Sequence, residues 1–264
     1  MKCNIIRGIS ISALLIVASA SAASAADMAL KAPPPAPPPC VWCGWYVGLN
    51  LGGSWGRSST TYDGALFAPF STSQNMDGVL GGGQVGYNWQ FSSNWVFGLE
   101  ADFQGTGQRG TADLPTIFVP PIPGILALGL PGTTSAATLT QKLPWFGTVR
   151  GRLGVEAGSN WLLYVTGGLA YGEVRSTLNT NAVTTTGIAT ATSAGVNDTR
   201  AGWTVGAGSE WMFAPQWSAK LEYLYMDYGH ISDSFLGTGS YATVGITSHV
   251  TDNVVRAGVN YHFH

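Results

Sequence analysis

Charge is scarce in this 264-residue chain: Asp, Glu, Lys and Arg together make up 10% of it, where a soluble domain carries about a quarter. Basic residues are not in excess, 12 against 14 acidic, and without a basic field a nucleic-acid partner is not expected. Long apolar runs are missing too. Beyond the first residues no segment offers the roughly 20 consecutive apolar side chains of a membrane-spanning helix. Cysteine is limited to three and histidine to four, so no metal site and no cofactor are expected. What the chain does hold is 36 glycines and ten each of Trp, Tyr and Phe. If such a chain lives in a bilayer without spanning helices, it must form a closed β-barrel, because only helices and closed barrels satisfy every backbone polar group there.

The N-terminus points to export. Lys2 and Arg7 precede an apolar run from Ile9 to Ala20 and then the small residues of SAASAAD, the layout of a secretory leader. Residues 1–25 are read as that signal peptide. The stretch DMALKAPPPAPPP cannot enter a helix or sheet interior, since proline fixes φ and lacks the amide donor. Residues 26–43 therefore read as a Pro-rich periplasmic tether, ahead of a barrel over 44–264. Within CVWC, Cys40 and Cys43 are open to a local disulfide in an oxidising compartment, to two free thiols, or to a metal site lacking its further ligands.

The remainder alternates. Trp45–Trp55, Val79–Trp89, Trp95–Phe103, Leu143–Val155, Trp161–Tyr171, Ala201–Trp211, Trp217–Tyr225 and Thr251–Phe263 each place large apolar side chains on odd numbers, the period of a strand with one greasy face. The even positions hold glycine and Glu100, Asp102, Arg150, Arg152, Glu210, Lys220, Glu222 and Arg256. Connections alternate as well. Ser92–Asn94, Glu156–Asn160 and Ala214–Gln216 are short, while Arg57–Gly78, Gln104–Lys142, Gly172–Arg200 and Met226–Val250 are long. Aromatic residues bracket each segment: Trp45, Trp89, Trp95, Trp161, Trp211, Trp217, Tyr261 and Phe263 toward the short turns, and Trp55, Phe103, Trp145, Tyr171, Trp203 and Tyr225 toward the long loops. At ~3.3 Å per residue and ~40° tilt the two girdles stand roughly 20–25 Å apart, the height of an outer-membrane apolar band. The expected fold is all-β: an eight-stranded, antiparallel, closed transmembrane barrel with three periplasmic turns and four long extracellular loops. Its last strand pairs with its first to remove both edges.

Glycine at Gly48, Gly52, Gly82, Gly86, Gly168, Gly206 and Gly258 leaves little bulk inside, yet eight strands make a lumen only just wide enough for side chains to fill. The inward charges are read as compensated ion pairs, with Glu210 opposite Lys220, and a polar solute path as the alternative. In the second loop LPTIFVPPIPGILALGLPG is an apolar run broken by proline, open to a partner or lipid contact or to packing against other loops. TLNTNAVTTTGIATATSAGVNDT in the third reads as a mobile low-complexity surface segment. Catalysis would need a histidine beside a carboxylate or serine. His230 and His249 lie near Asp227, Asp233 and Ser248, but their opposite parity sends them to opposite faces.

Several stretches together resemble a family, the small alphaproteobacterial outer-membrane proteins known as outer membrane immunogenic protein or porin-family surface antigen: GWYVGLNLGGSWG, GGGQVGYNWQ with WVFGLEADF, RGRLGV, YVTGGLAYGEV, GWTVGAGSEW, KLEYLYMDYG and VVRAGVNYHF. The resemblance covers nearly the whole chain. It implies a multi-pass barrel in the Gram-negative outer membrane, with outer-membrane lipid, lipopolysaccharide and the barrel-assembly machinery as partners, and a host or surface ligand unspecified. It also implies a terminal aromatic read by that machinery, a role falling to Phe263 although His264 follows it. Haem binding by some members would draw on the His230 and His249 pair. The expected role is non-enzymatic, envelope-structural and surface-interacting; a narrow porin for small solutes and surface haem binding are the alternatives.

Overall fold

The computed structural model describes residues 40–64, 67–92, 94–119, 132–158, 160–236 and 243–263. Residues 1–39, with the expected signal peptide and the prolines, residues 120–131 of the apolar second loop and His264 lie outside them. Among the described residues no helix is long and apolar enough to cross a membrane, and the chain runs through strands β1 (Gly44–Gly64), β2 (Phe67–Gln90), β3 (Trp95–Asp113), β4 (Ile117–Val119), β5 (Thr133–Glu156), β6 (Trp161–Thr184), β7 (Ala189–Ala214), β8 (Trp217–Leu236) and β9 (Thr243–Phe263).

Eight of these form a ring. Each is antiparallel to its sequence neighbour, β3 pairs with β5, and β1 pairs with both β2 and β9, so Trp45 stands between Tyr87 and Phe263. The closing strand removes the last open edge, as a bilayer demands. The short β4 lies along the top of β5, Ile117 opposite Ser135. Alternation explains the two faces: Leu49, Leu51, Val79, Leu99, Val165 and Leu169 are exposed on the outside, whereas Asn50, Gln84, Glu100, Arg150 and Thr166 are buried within.

The wall continues well past the outer aromatic residues, and this corrects the expectation of four long loops. A strand of about 9–11 residues spans the bilayer, but β6 has 24 residues and β7 has 26. At ~3.3 Å per residue and ~40° tilt, β6 is roughly 60 Å tall. The Thr/Ala-rich third loop is in fact the top of a β6–β7 hairpin, paired as far as Val183 with Ala189 and turned at Gly187, whose φ of 84° suits glycine. Low complexity did not prevent pairing, because the ladder bonds come from backbone and the β-branched threonines favour strands.

Strict parity fails at two places. At Pro144, which has no N–H for the ladder, the register shifts between Gly105/Gln108 on one side and Lys142/Phe146 on the other. Leu143, expected on the lipid face, therefore turns inward and is 1% exposed, while Lys142 turns out. In β8 the register shifts between Asp227 and His230, with Gly229 at φ 70°.

The position of the membrane along the wall is testable. Val165, 58% exposed on β6 between the girdle residues Trp161 and Tyr171, should cost about 2–4 kcal/mol when replaced by arginine. Thr177→Arg, on the same face 12 residues further up the strand, should be near neutral. Urea titration of the refolded protein in lipid measures both, and equal losses would place Thr177 inside the bilayer.

Candidate functional site: a lumen filled in layers

At the periplasmic mouth, residues 40–43 fold into the barrel. Cys40 and Cys43 are joined by a disulfide, and the Trp42 between them is 0% exposed, packed with Val96, Leu162, Tyr164 and Met212. Its indole meets the His262 ring edge-on at 5.8 Å, and Asn88 Nδ2 donates to its carbonyl at 3.0 Å. A tether was expected over this stretch; its last residues are instead a stopper. The signal was present, because Trp42 falls on the same even parity as the lumen-facing Tyr46.

Above it lies the charge layer, where four carboxylates meet four cations. Arg150 bonds Glu100, Asp102 at 3.0 Å and Glu222 at 3.0 Å. Arg256 bonds Asp102 at 2.9 Å and Glu222 at 2.6 Å, and Lys220 reaches Glu100 at 2.8 Å. Glu210 and Lys220 are opposite in the ladder, yet they do not pair: Glu210 forms an ion pair with Arg152 at 3.0 Å and lies 3.3 Å from His262 Nε2. Arg152 is further held between the rings of Tyr46 and Tyr164, at 4.9 and 5.0 Å. Those phenols donate to Glu100 at 2.6 Å and Glu222 at 3.1 Å. Burying such charges is sustained only when each has partners, and all eight have them.

Two glycines create the room for this layer. A Cβ on Gly86 would sit 2.3 Å from the Tyr46 ring, and one on Gly208 2.5 Å from the Tyr164 hydroxyl. Inward glycine thus marks where a large neighbour lies across the ladder, which corrects the reading of even-numbered glycine as empty space. Tyr46 and Tyr164 were missed for that reason.

Higher still, an apolar layer crosses the lumen: Met76, Leu80, Leu143, Phe146, Leu224 and Met226 with their neighbours. Inside the outer extension a further cluster gathers Tyr62, Leu139 and Ile246. Tyr62 stacks on Phe70 at 4.9 Å, and burial pushes its hydroxyl up to about 12.

The aromatic residues named from the sequence lie on the outside in contacting groups. Trp45 meets Tyr87, Trp161 stacks on Trp211, and Tyr261 touches both Trp217 and Phe263 near the periplasmic turns. Trp89 stacks on Phe97 one strand away, and Trp95 is exposed beside them. Toward the outside, Phe103, Trp145 and Tyr171 form a contiguous run, Trp203 meets Tyr225, and Trp55 is exposed on β1. Tyr87, Phe97 and Phe213 extend the lower group. Just above the upper group, Arg175 and the Trp145 indole donate to Glu173, holding its carboxyl below the ordinary range.

His230 and His249 do not face opposite sides. The shift at Gly229 brings them opposite one another with rings stacked at 4.6 Å and 10°, and His249 Nε2 lies 3.0 Å from Asp227 Oδ1. Ser248 is turned into the lumen, where it bonds Thr60 at 2.8 Å. The Asp233 side chain lies outside the description.

A closed ring of eight antiparallel strands, apolar outside between aromatic residues and filled inside with paired charge, defines an integral outer-membrane β-barrel protein. The chain belongs to the outer membrane protein beta-barrel domain family, whose model matches residues 10–263. It is 36% identical over 241 residues to the 31 kDa outer-membrane immunogenic protein of Brucella melitensis, covering 84% of each chain. It is 30% identical over 184 residues to a 22 kDa outer membrane protein of Rhizobium leguminosarum bv. viciae, covering 69% of this chain and 66% of that one. Among solved structures it aligns with the outer membrane protein OprG of Pseudomonas aeruginosa at TM-score 0.48 and 12% identity, over 84% of this chain and 97% of that one. The protein resides in the outer membrane.

Proposed function

We propose that this protein is a closed, non-conducting and non-enzymatic barrel whose role is to strengthen the envelope and to present a surface for interaction. The observation that carries this reading is the continuous filling of the lumen, from the Trp42 stopper through the ion-pair layer to the apolar layer. An aqueous solute path would have to break all three. The non-enzymatic reading is supported by the placement of Ser248, which keeps it from the His249–Asp227 pair. The histidine rings lie face to face, so their in-plane nitrogen lone pairs do not converge on one axial iron.

Planar-bilayer recording tests this. Refolded protein is expected to give no discrete steps under an applied potential; steps of stable size would favour the narrow porin for small solutes.

A further inference from the structure

Three cations stand side by side across the outer face of three strands. Arg109 of β3 is directly opposite Lys142 of β5, which is directly opposite Arg175 of β6, and all three are exposed. Like charges facing each other across a ladder are destabilising. The row is only partly neutralised by its own wall. Asp77 lies opposite Arg109 on β2 without an ion pair to it, Arg175 bonds Glu173 at 2.7 Å, and among the described residues Arg109 and Lys142 have no ion-pair partner. Lys142 points outward only because alternation breaks at Pro144.

The same break shapes the wall below. A groove of roughly 650 Å³ opens on the lipid-facing side, lined by Leu51, Val79, Gly81, Gly105, Gly107 and Pro144. Gly107 and Pro144 share this face with Arg109 and Lys142 two residues away, so the cations form the groove's upper rim. The groove begins beside the upper aromatic residues Phe103, Trp145 and Tyr171, which mark where headgroups meet acyl chains, and the cations stand above them on the headgroup side of the same strands.

We propose that this is a binding site for an anionic lipid of the outer leaflet, with a headgroup phosphate on Arg109, Lys142 and Arg175 and an acyl chain in the glycine-floored groove. Charge complementarity selects the occupant: a purely apolar partner would leave Arg109 and Lys142 unanswered, and a free anion would leave the groove empty. Arginine and lysine supply charge-assisted bonds to phosphate oxygens, and the glycines let the chain lie against backbone. The site is independent of whether the lumen conducts.

The test uses the full chain refolded in detergent, with thermal unfolding followed by gel mobility in the presence of bis-phosphorylated lipid A, dephosphorylated lipid A or inorganic phosphate. Lipid A should raise the unfolding midpoint clearly more than its dephosphorylated form, and inorganic phosphate should not raise it. Arg109→Gln/Lys142→Gln should weaken lipid A binding at least about tenfold, the loss of one or two charge-assisted contacts. Gly105→Leu/Gly107→Leu should abolish protection by both lipids. The latter change is compatible with the fold, since a Cβ at either glycine meets nothing nearer than 3.8 Å. A charge variant protected like the parent, equal protection by dephosphorylated lipid A, or protection by inorganic phosphate alone would each overturn the proposal.

Discussion

Replacing Arg150 with methionine is expected to destabilise the barrel by about 3–5 kcal/mol, the range for removing one partner of a buried ion pair. The guanidinium serves Glu100, Asp102 and Glu222 at once, so its loss leaves a buried layer with four carboxylates and three cations. The cost arises from the stranded negative charge more than from the missing bonds. A second change, Glu222→Gln, restores the balance and should recover part of the loss even though it removes another ionic contact. Equilibrium unfolding of the three variants in lipid vesicles measures this. A double variant as unstable as the sum of its parts would show that individual bonds, not charge balance, govern the layer.

Trp42→Ala is the second large effect, expected to cost about 3–5 kcal/mol as a fully buried aromatic is truncated. Its neighbours Val96, Leu162 and Met212 belong to three different strands of the ring, which cannot collapse onto the space without bending the wall. Cys40→Ser/Cys43→Ser should be milder, about 2 kcal/mol for so short a loop in the chain-entropy account, because the indole can still enter the mouth. Comparing unfolding midpoints of the two variants ranks the contributions. A larger loss from the cysteine change would mean that the covalent loop, not the indole, seats the stopper.

The ring of strands was legible because period-two patterning is a direct imprint of a wall with different solvents on its two faces. Greasy odd positions and charged even ones specify both the strands and which side of each faces lipid. Partner choice within the charge layer was not legible. Ladder register places Glu210 beside Lys220, but long side chains reach across a narrow lumen, and Lys220 ends on Glu100. Trp42 was hidden by its position between cysteines and after prolines, a context that reads as linker. The two irregularities were written in residues whose backbone demands are local, Pro144 and Gly229. Their effect is not local, since a single break in alternation exchanges inside for outside along the rest of a strand. Leu143, Lys142 and the His230–His249 stack all follow from that exchange.

The height of the wall has a consequence for how the cell is seen from outside. The turn at Thr184–Ile188 stands 13 residues beyond Tyr171, about 30 Å above the girdle at the strand rise and tilt of such barrels. The hairpin beneath it is held by main-chain bonds, with small side chains such as Ala189, Ala191, Ser193 and Gly195 along its outer face. Recognition molecules arriving at this surface meet a stiff pillar whose exterior chemistry is decoupled from its architecture. Side chains on its outer face touch no buried cluster, so they can be exchanged with little effect on the scaffold, and the reach of the wall is set independently of the chemistry on its surface.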